Sequence, residues 1–145
     1  MIMEKYDALK IEGQLCFPLY ACSREIIKKY KPFLDEMDMT YTQYIAMLVL
    51  WEKKHLTVKE LGDCLYLDSG TLTPLLKKME AKGLITRKRS DRDERSLIVS
   101  LTEKGESLRD KAVNIPYEVA KICKSLEMEE ARTLYQLLYK LLRAL

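Results

Sequence analysis

Apolar residues recur at three- and four-residue spacing over long stretches at both ends of the chain and over shorter stretches between them. From Ile11 to Asp38, Leu15, Leu19, Ile26, Ile27, Phe33, Leu34 and Met37 keep helical spacing. Pro18 and Pro32 interrupt the pattern. A proline fits a first turn but kinks an interior. A regular helix is therefore expected from about Phe17, with a bend or early stop at Pro32. Thr40 and Gln43 form a capping box that opens a helix from Tyr41 to Glu52. Its run Ile45-Ala46-Met47-Leu48-Val49-Leu50-Trp51 is apolar on nearly every side, as in a helix at the centre of a core.

The next stretch, Thr57 to Leu101, changes period twice. A short helix over Thr57–Leu65 is signalled by Thr57 with Glu60. Asp68 or Ser69 can cap a second helix that runs to about Lys82 and is closed by Gly83. Leu84–Arg89 and Ser96–Leu101 read as strands around the polar tip Ser90-Asp91-Arg92-Asp93-Glu94-Arg95. Thr102 caps a helix starting at Glu103, with a break expected at Pro116 and resumption to about Ser125. The last helix, Met128–Leu145, carries Leu134, Leu137, Leu138, Leu141, Leu142 and Leu145. A helix pair followed by a hairpin is the layout of a winged helix-turn-helix, which sets its second helix in the DNA major groove. The fold class expected is α+β, mainly α, in a single domain over 1–145. The DNA-reading module lies at about 57–101. Helices at about 11–38 and 103–145 have surplus apolar faces and are expected to form a homodimer interface.

Charge sharpens this picture. Lys77, Lys78, Lys82, Arg87, Lys88, Arg89, Arg92 and Arg95 face only Glu80, Asp91, Asp93 and Glu94, so Lys77–Arg95 is +4 while the whole chain is +3. Positive charge gathered on a helix and its hairpin is the footprint of phosphate contact. With 48% apolar and 32% charged residues over 145 positions, the chain can bury a core, and no linker or low-complexity tract divides it. The N-terminus has no signal-like apolar segment and no run reaches membrane-spanning length, so a cytoplasmic protein is expected. Four cysteines are then free thiols. One histidine, His55, and no cysteine pair at ligand spacing argue against a zinc site, and no cofactor is implied.

Several segments carry a family resemblance. They are Gln14-Leu15-Cys16-Phe17 with Leu19-Tyr20, Tyr30-Lys31-Pro32, Leu48-Val49-Leu50-Trp51-Glu52, Leu67-Asp68-Ser69-Gly70-Thr71-Leu72-Thr73-Pro74-Leu75-Leu76-Lys77, and Asp93-Glu94-Arg95. Over nearly its full length the chain resembles the MarR family of winged-helix repressors, and within it the organic-hydroperoxide-sensing (OhrR-like) branch. The resemblance implies a homodimer with intertwined terminal helices that binds a near-palindromic operator in double-stranded DNA. It also implies release of that operator when Cys16 is oxidised by an organic hydroperoxide.

The chemistry of the residues fits that role. Only a thiolate attacks a peroxide quickly, and a helix start near Phe17 would place Cys16 where the helix dipole favours an anion. The product is a sulfenic acid, which a second thiol converts to a disulfide. By resemblance, Tyr30 and Tyr41 hydrogen-bond the reactive cysteine across the dimer interface, Tyr20 adds to the pocket wall, and Cys123 is the candidate resolving thiol. Cys22, six residues past Cys16, lies about 120° off the same helix face, and Cys64 reads as a packing residue. For DNA, the candidates are Ser69, Thr71, Thr73, Lys77 and Lys78 on the second module helix, with Arg87, Asp93 and Arg95 in the wing. Short hydroxyls and lysines suit phosphates. Arg95 matches a minor-groove arginine braced by Asp93. Pro74 lies within that helix, so its first turn is expected to bend or start late. Competing readings are a MarR-type repressor released by a phenolic or other small ligand, a thiol peroxidase using Cys16 and Cys123, and a structural helical dimer. An enzyme is disfavoured, because no His, Arg or Thr cluster surrounds Cys16 and the basic wing would have no role.

Overall fold

The structure, a computed structural model, describes residues 4–145, with the side chain of Cys123 outside the description. Its contacts divide the chain into two compact units. One comprises the residues up to Tyr30 together with Pro116–Leu145, and the other comprises Lys31–Ile115.

In the first unit, Asp7–Leu9 and Ile11–Gly13 are single 3-10 turns, tied down by Gln14 Nε2 donating to the carbonyls of Ala8 (2.7 Å) and Lys10 (3.1 Å). Helix α1 spans Cys16–Asp35 and so carries the chain into the second unit. Its start at Cys16 puts Pro18 in the first turn, where a missing N–H costs no helical bond. The helix does not stop at Pro32 but continues through it to Asp35. Pro32 lacks one N–H and so forgoes one i→i−4 bond three residues before the helix ends.

The second unit is built on helix α2 (Tyr41–Lys53). Its Thr40–Gln43 capping box closes both ways, Gln43 N–H to Thr40 Oγ1 at 3.3 Å and Thr40 N–H to Gln43 Oε1 at 3.1 Å. Strand β1 (His55–Thr57) leads into α3 (Val58–Leu65), with Thr57 and Glu60 forming the expected second box. Helix α4 (Ser69–Ala81) is capped by Asp68 Oδ1 accepting from Thr71 N–H (2.7 Å), and it ends at Lys82 followed by Gly83 at φ +75°. A late start forced by Pro74 does not occur, since Pro74 is the sixth residue of an already formed helix. Strands β2 (Ile85–Arg89) and β3 (Leu97–Leu101) form the hairpin, with Ile85 opposite Leu101 and Arg89 opposite Leu97. Strand β1 adds to the other side of β3, Thr57 opposite Ile98, giving an antiparallel sheet of order β1-β3-β2.

The core of this unit joins all these elements. Met47 and Leu50 of α2, Leu61 of α3, Leu72, Leu76 and Met79 of α4, and Ile85 and Val99 of the sheet are fully buried. Helix α5 (Glu103–Ala112) packs onto it, and the indole N–H of Trp51 donates to the carbonyl of Gly105 (3.0 Å) inside the core. Gly105 lies so close to the carbonyl of Leu84 that any Cβ there would collide with backbone. The architecture is a helix-turn-helix followed by a wing, as the sequence pattern predicts.

Beyond α5 the boundaries differ from expectation. The helical run breaks at Val113–Asn114, before Pro116, and restarts as α6 (Ile115–Ala120) with Pro116 in its first turn. It then gives way to a 3-10 turn at Lys121–Cys123 instead of continuing to Ser125. Helix α7 covers Met128–Ala144. None of its residues is buried in the single chain, and Leu134, Leu137, Leu138 and Leu141 are all exposed, Leu137 by 56%. No helix among the described residues is long and apolar enough to cross a membrane.

Candidate nucleic-acid interface and thiol site

In the second unit the two ends of α4 have different jobs. At its N-terminus Ser69, Gly70 and Thr71 are exposed. The Asp68 carboxyl that caps them is held below its usual range by hydrogen bonds from Thr71 and then Gly70. Lys77 and Lys78 are exposed farther along, while Thr73 is half-buried. Short hydroxyls at an exposed helix start, with lysines behind them, can approach both phosphates and base edges.

The wing is ordered by local bonds. Ser90 N–H donates to the Ser96 carbonyl (2.8 Å), Ser96 N–H to the Asp93 carbonyl (3.0 Å), and Arg89 Nη1 to the Glu94 carbonyl (2.9 Å). Asp93 does not brace the guanidinium of Arg95. Its Oδ1 accepts the backbone N–H of Arg95 (3.0 Å) and its Oδ2 accepts the hydroxyl of Ser96 (3.2 Å). A carboxylate two residues upstream closes an Asx-type turn more readily than it reaches around to the arginine head. Asp93 thus fixes the tip and leaves the Arg95 side chain exposed. Lys77, Lys78, Lys88, Arg92 and Arg95 form no ion pair among the described residues.

Besides Arg89, two more cations of the cluster are occupied. Arg87, expected to face DNA, has its side chain only 16% exposed. Its Nε and Nη2 donate to Glu80 Oε2 (3.3 Å) and Oε1 (3.2 Å), and its backbone N–H donates to Oε2 (3.1 Å). The fork joins α4 to β2, and the Arg87 guanidinium holds the Glu80 carboxyl below its usual range. Lys82 is likewise taken up, by the carbonyl of Asp38 and the amide of Gln43. Sequence reasoning did not single out Lys88 and Arg92 as free wing cations. The signal available was their place on the hairpin beside Arg95.

The thiol site belongs to the first unit. Cys16 is the first residue of α1 and is exposed. Tyr20 lies one turn on, with the Arg24 guanidinium 5.4 Å from its ring centre. Tyr30 is half-buried on the same helix. Fourteen residues of helix separate it from Cys16, about 21 Å along the axis, so the two do not meet within one chain. Tyr41 opens α2 in the second unit, with its ring 6.3 Å from that of Tyr44. Burial pushes its phenol up. Cys22 is exposed on α1. Cys64, expected to pack, is exposed, and its Sγ accepts from Lys53 Nζ at 3.6 Å. The part expected of Cys123 rests on a side chain outside the described residues.

Comparison with known proteins agrees with this geometry. The SarA/Rot family of transcriptional regulators matches residues 28–112. An organic hydroperoxide resistance transcriptional regulator of Bacillus subtilis (strain 168) is 56% identical, over 97% of this chain and 95% of that one. The HTH-type transcriptional regulator SarZ of Staphylococcus saprophyticus is 50% identical over 81% of this chain and 80% of its own. Among solved structures, reduced AbfR bound to DNA, a protein of Staphylococcus epidermidis, superposes with a TM-score of 0.78 at 32% identity, covering 97% of this chain and 98% of that one. The chain belongs to the MarR-type winged-helix transcriptional regulators, in their organic hydroperoxide resistance branch.

Proposed function

We propose that this protein is a homodimeric repressor that binds a near-palindromic operator and leaves it when Cys16 is oxidised by an organic hydroperoxide. The observation that carries the reading is the pairing of two features in one unit. An exposed thiol opens α1, and α7 of the same unit buries none of its leucines in the single chain. An apolar helix face of that kind needs a partner. A second copy supplies one, and it brings two DNA-reading modules to two half-sites about one helical turn apart. A dimer also provides the partner subunit's phenols for Cys16, since Tyr30 of the same chain is about 21 Å away along the helix. The reading is supported by the 56% identical regulator of organic hydroperoxide resistance and by AbfR, which has been solved reduced on DNA.

The chemistry balances without a cofactor. The Cys16 thiolate attacks the terminal oxygen of the hydroperoxide. An S–O bond forms and the O–O bond breaks. The alkoxide leaves and takes a proton to become the alcohol, while sulfur is oxidised by two electrons to a sulfenic acid. A second thiol, with Cys123 as candidate, then displaces water to give a disulfide. Either product changes the packing of the helices around Cys16. Release follows if the changed packing disfavours the half-site spacing that DNA demands.

Non-reducing gel electrophoresis before and after an organic hydroperoxide, run beside DNA binding, tests the reading. Reduced protein is expected to bind, and treated protein to release DNA. A covalent dimer that is lost in Cys123→Ser would identify the resolving thiol. Binding that is indifferent to hydroperoxide removes the sensor role.

A further inference from the structure

Besides Arg87, another cation of the basic segment is held by the fold. Lys82 caps the C-terminal end of α4 with its side chain 30% exposed. Its ammonium donates to the backbone carbonyl of Asp38 and to Gln43 Oε1 (3.1 Å), and the Asp38 carboxylate stands 3.8 Å away. Asp38 sits at φ 50° in the corner between α1 and α2. Gln43 is 1% exposed, and the same Oε1 accepts the Thr40 N–H that opens α2. From the opposite side, Lys104 Nζ of α5 donates to the carbonyl of Lys82 (2.8 Å), and the hydroxyl of Thr102 donates to the carbonyl of Gly83. The end of α1, the start of α2 and the start of α5 therefore all fasten to one point, the last turn of α4. The chain enters this unit along α1 and leaves it along α5.

We infer that Lys82 is a positioning residue that sets the tilt of α4 by clamping its C-terminal end to the α1–α2 corner, and that its ammonium does not contact phosphate. Lys82 lies in the segment whose positive charge would otherwise assign it to DNA. Hydrogen bonds from an ammonium to a carbonyl and to a buried amide are stronger than neutral ones. They hold the far end of a rigid rod whose near end carries Ser69 and Thr71. The 13 residues of α4 span about 20 Å, so a tilt of roughly 5° at the clamp moves the N-terminal residues by about 2 Å. Such a displacement breaks a base-edge hydrogen bond and leaves diffuse phosphate attraction nearly intact. The clamp rests on the proposed reading of α4 as the DNA-reading helix.

The test is anisotropy titration of reduced, full-length protein between about 50 and 200 mM salt, against an operator selected from a random pool and against an unrelated duplex. Lys82→Met removes the ammonium and keeps most of the stem. Operator affinity should fall roughly 2- to 30-fold, with affinity for the unrelated duplex and its salt slope unchanged. Gln43→Met removes one of the two hydrogen-bond acceptors of Lys82, together with the Oε1 that caps α2, and leaves Lys82 in place. It should give the same pattern, and the double variant should lose no more than either single one. A phosphate contact would behave differently. Lys82→Met would then weaken both duplexes alike and lower the salt slope by about 0.9, and Gln43→Met would not. That outcome, or unchanged operator affinity in Lys82→Met, overturns the inference. If neither variant folds, the clamp holds the module together instead of aiming α4, and the inference falls equally. Wild-type protein that does not discriminate the two duplexes defeats the parent reading, and the clamp's role with it.

Discussion

Arg87 and Lys82 look in sequence like their neighbours Lys88 and Arg95, but the fold holds the first two and leaves the other two exposed. The difference depends on partners seven residues away across a helix–strand junction for Arg87, and 39 and 44 residues away for Lys82. Charge counting along the chain has no access to such partners. The local chemistry was legible. Cys16 was expected at a helix start and α1 begins there, but the expected brace of Arg95 by Asp93 is not formed, because the Asp93 carboxylate is taken by the Arg95 backbone N–H and the Ser96 hydroxyl. Two predictions belong to this scale. Arg95→Ala should weaken operator binding by about 1–3 kcal/mol and relax sequence preference at one position. Unchanged affinity and preference would remove Arg95 from the interface. Glu80→Ala should reproduce the loss caused by Arg87→Ala, because each breaks the same fork between α4 and β2. If Glu80→Ala binds DNA more tightly, Arg87 is a DNA contact that Glu80 restrains.

Capping signals located helices well because they are written within four residues. Both capping boxes close as read, and Asp68 caps α4. Strand β1 was missed because His55-Leu56-Thr57 becomes a strand only by pairing with β3, more than 40 residues on. The prolines misled in one direction. Pro32 and Pro74 each remove one bond without ending their helix, and Pro116 lies in the first turn of one. At this scale the Asp68 cap gives a pH prediction. Its carboxyl is lowered in the folded state, so the stability it lends α4 is present above the unfolded value near 3.8 and is lost as pH falls through the lower, folded value. The protection of the Thr71 amide, its exchange rate taken relative to the intrinsic rate at each pH, should therefore fall in acid in the wild type and lose that dependence in Asp68→Asn. A pH profile identical in both would show that the cap does not titrate. Gly83, at φ +75°, closes α4 where L side chains are strained, and Gly83→Ala should cost about 1–2 kcal/mol in thermal or denaturant unfolding.

For the whole molecule, the leucine stripe of α7 was legible as an amphipathic surface, because helical spacing reveals a face. A surplus apolar face beyond what one core needs is also what led to the expectation of a homodimer interface, although spacing alone does not show which residues meet across it. The single chain leaves Leu134, Leu137, Leu138 and Leu141 exposed, and a second copy accounts for them. Leu138→Asp with Leu141→Asp should yield monomers in analytical ultracentrifugation and abolish operator binding, while α2–α5 and the sheet remain folded by circular dichroism. A variant that stays dimeric would place the interface elsewhere.

The central claim is that oxidation at Cys16 governs DNA binding, and the most direct measurement compares wild type with Cys16→Ser. Both are titrated with the selected operator, reduced and after treatment with cumene hydroperoxide. The wild type should lose at least about tenfold in affinity on treatment, toward the lower end of the usual range for coupled sites, while Cys16→Ser should bind equally in both conditions. Release of Cys16→Ser by hydroperoxide as readily as wild type would contradict the account and leave a small-ligand response as the reading to pursue.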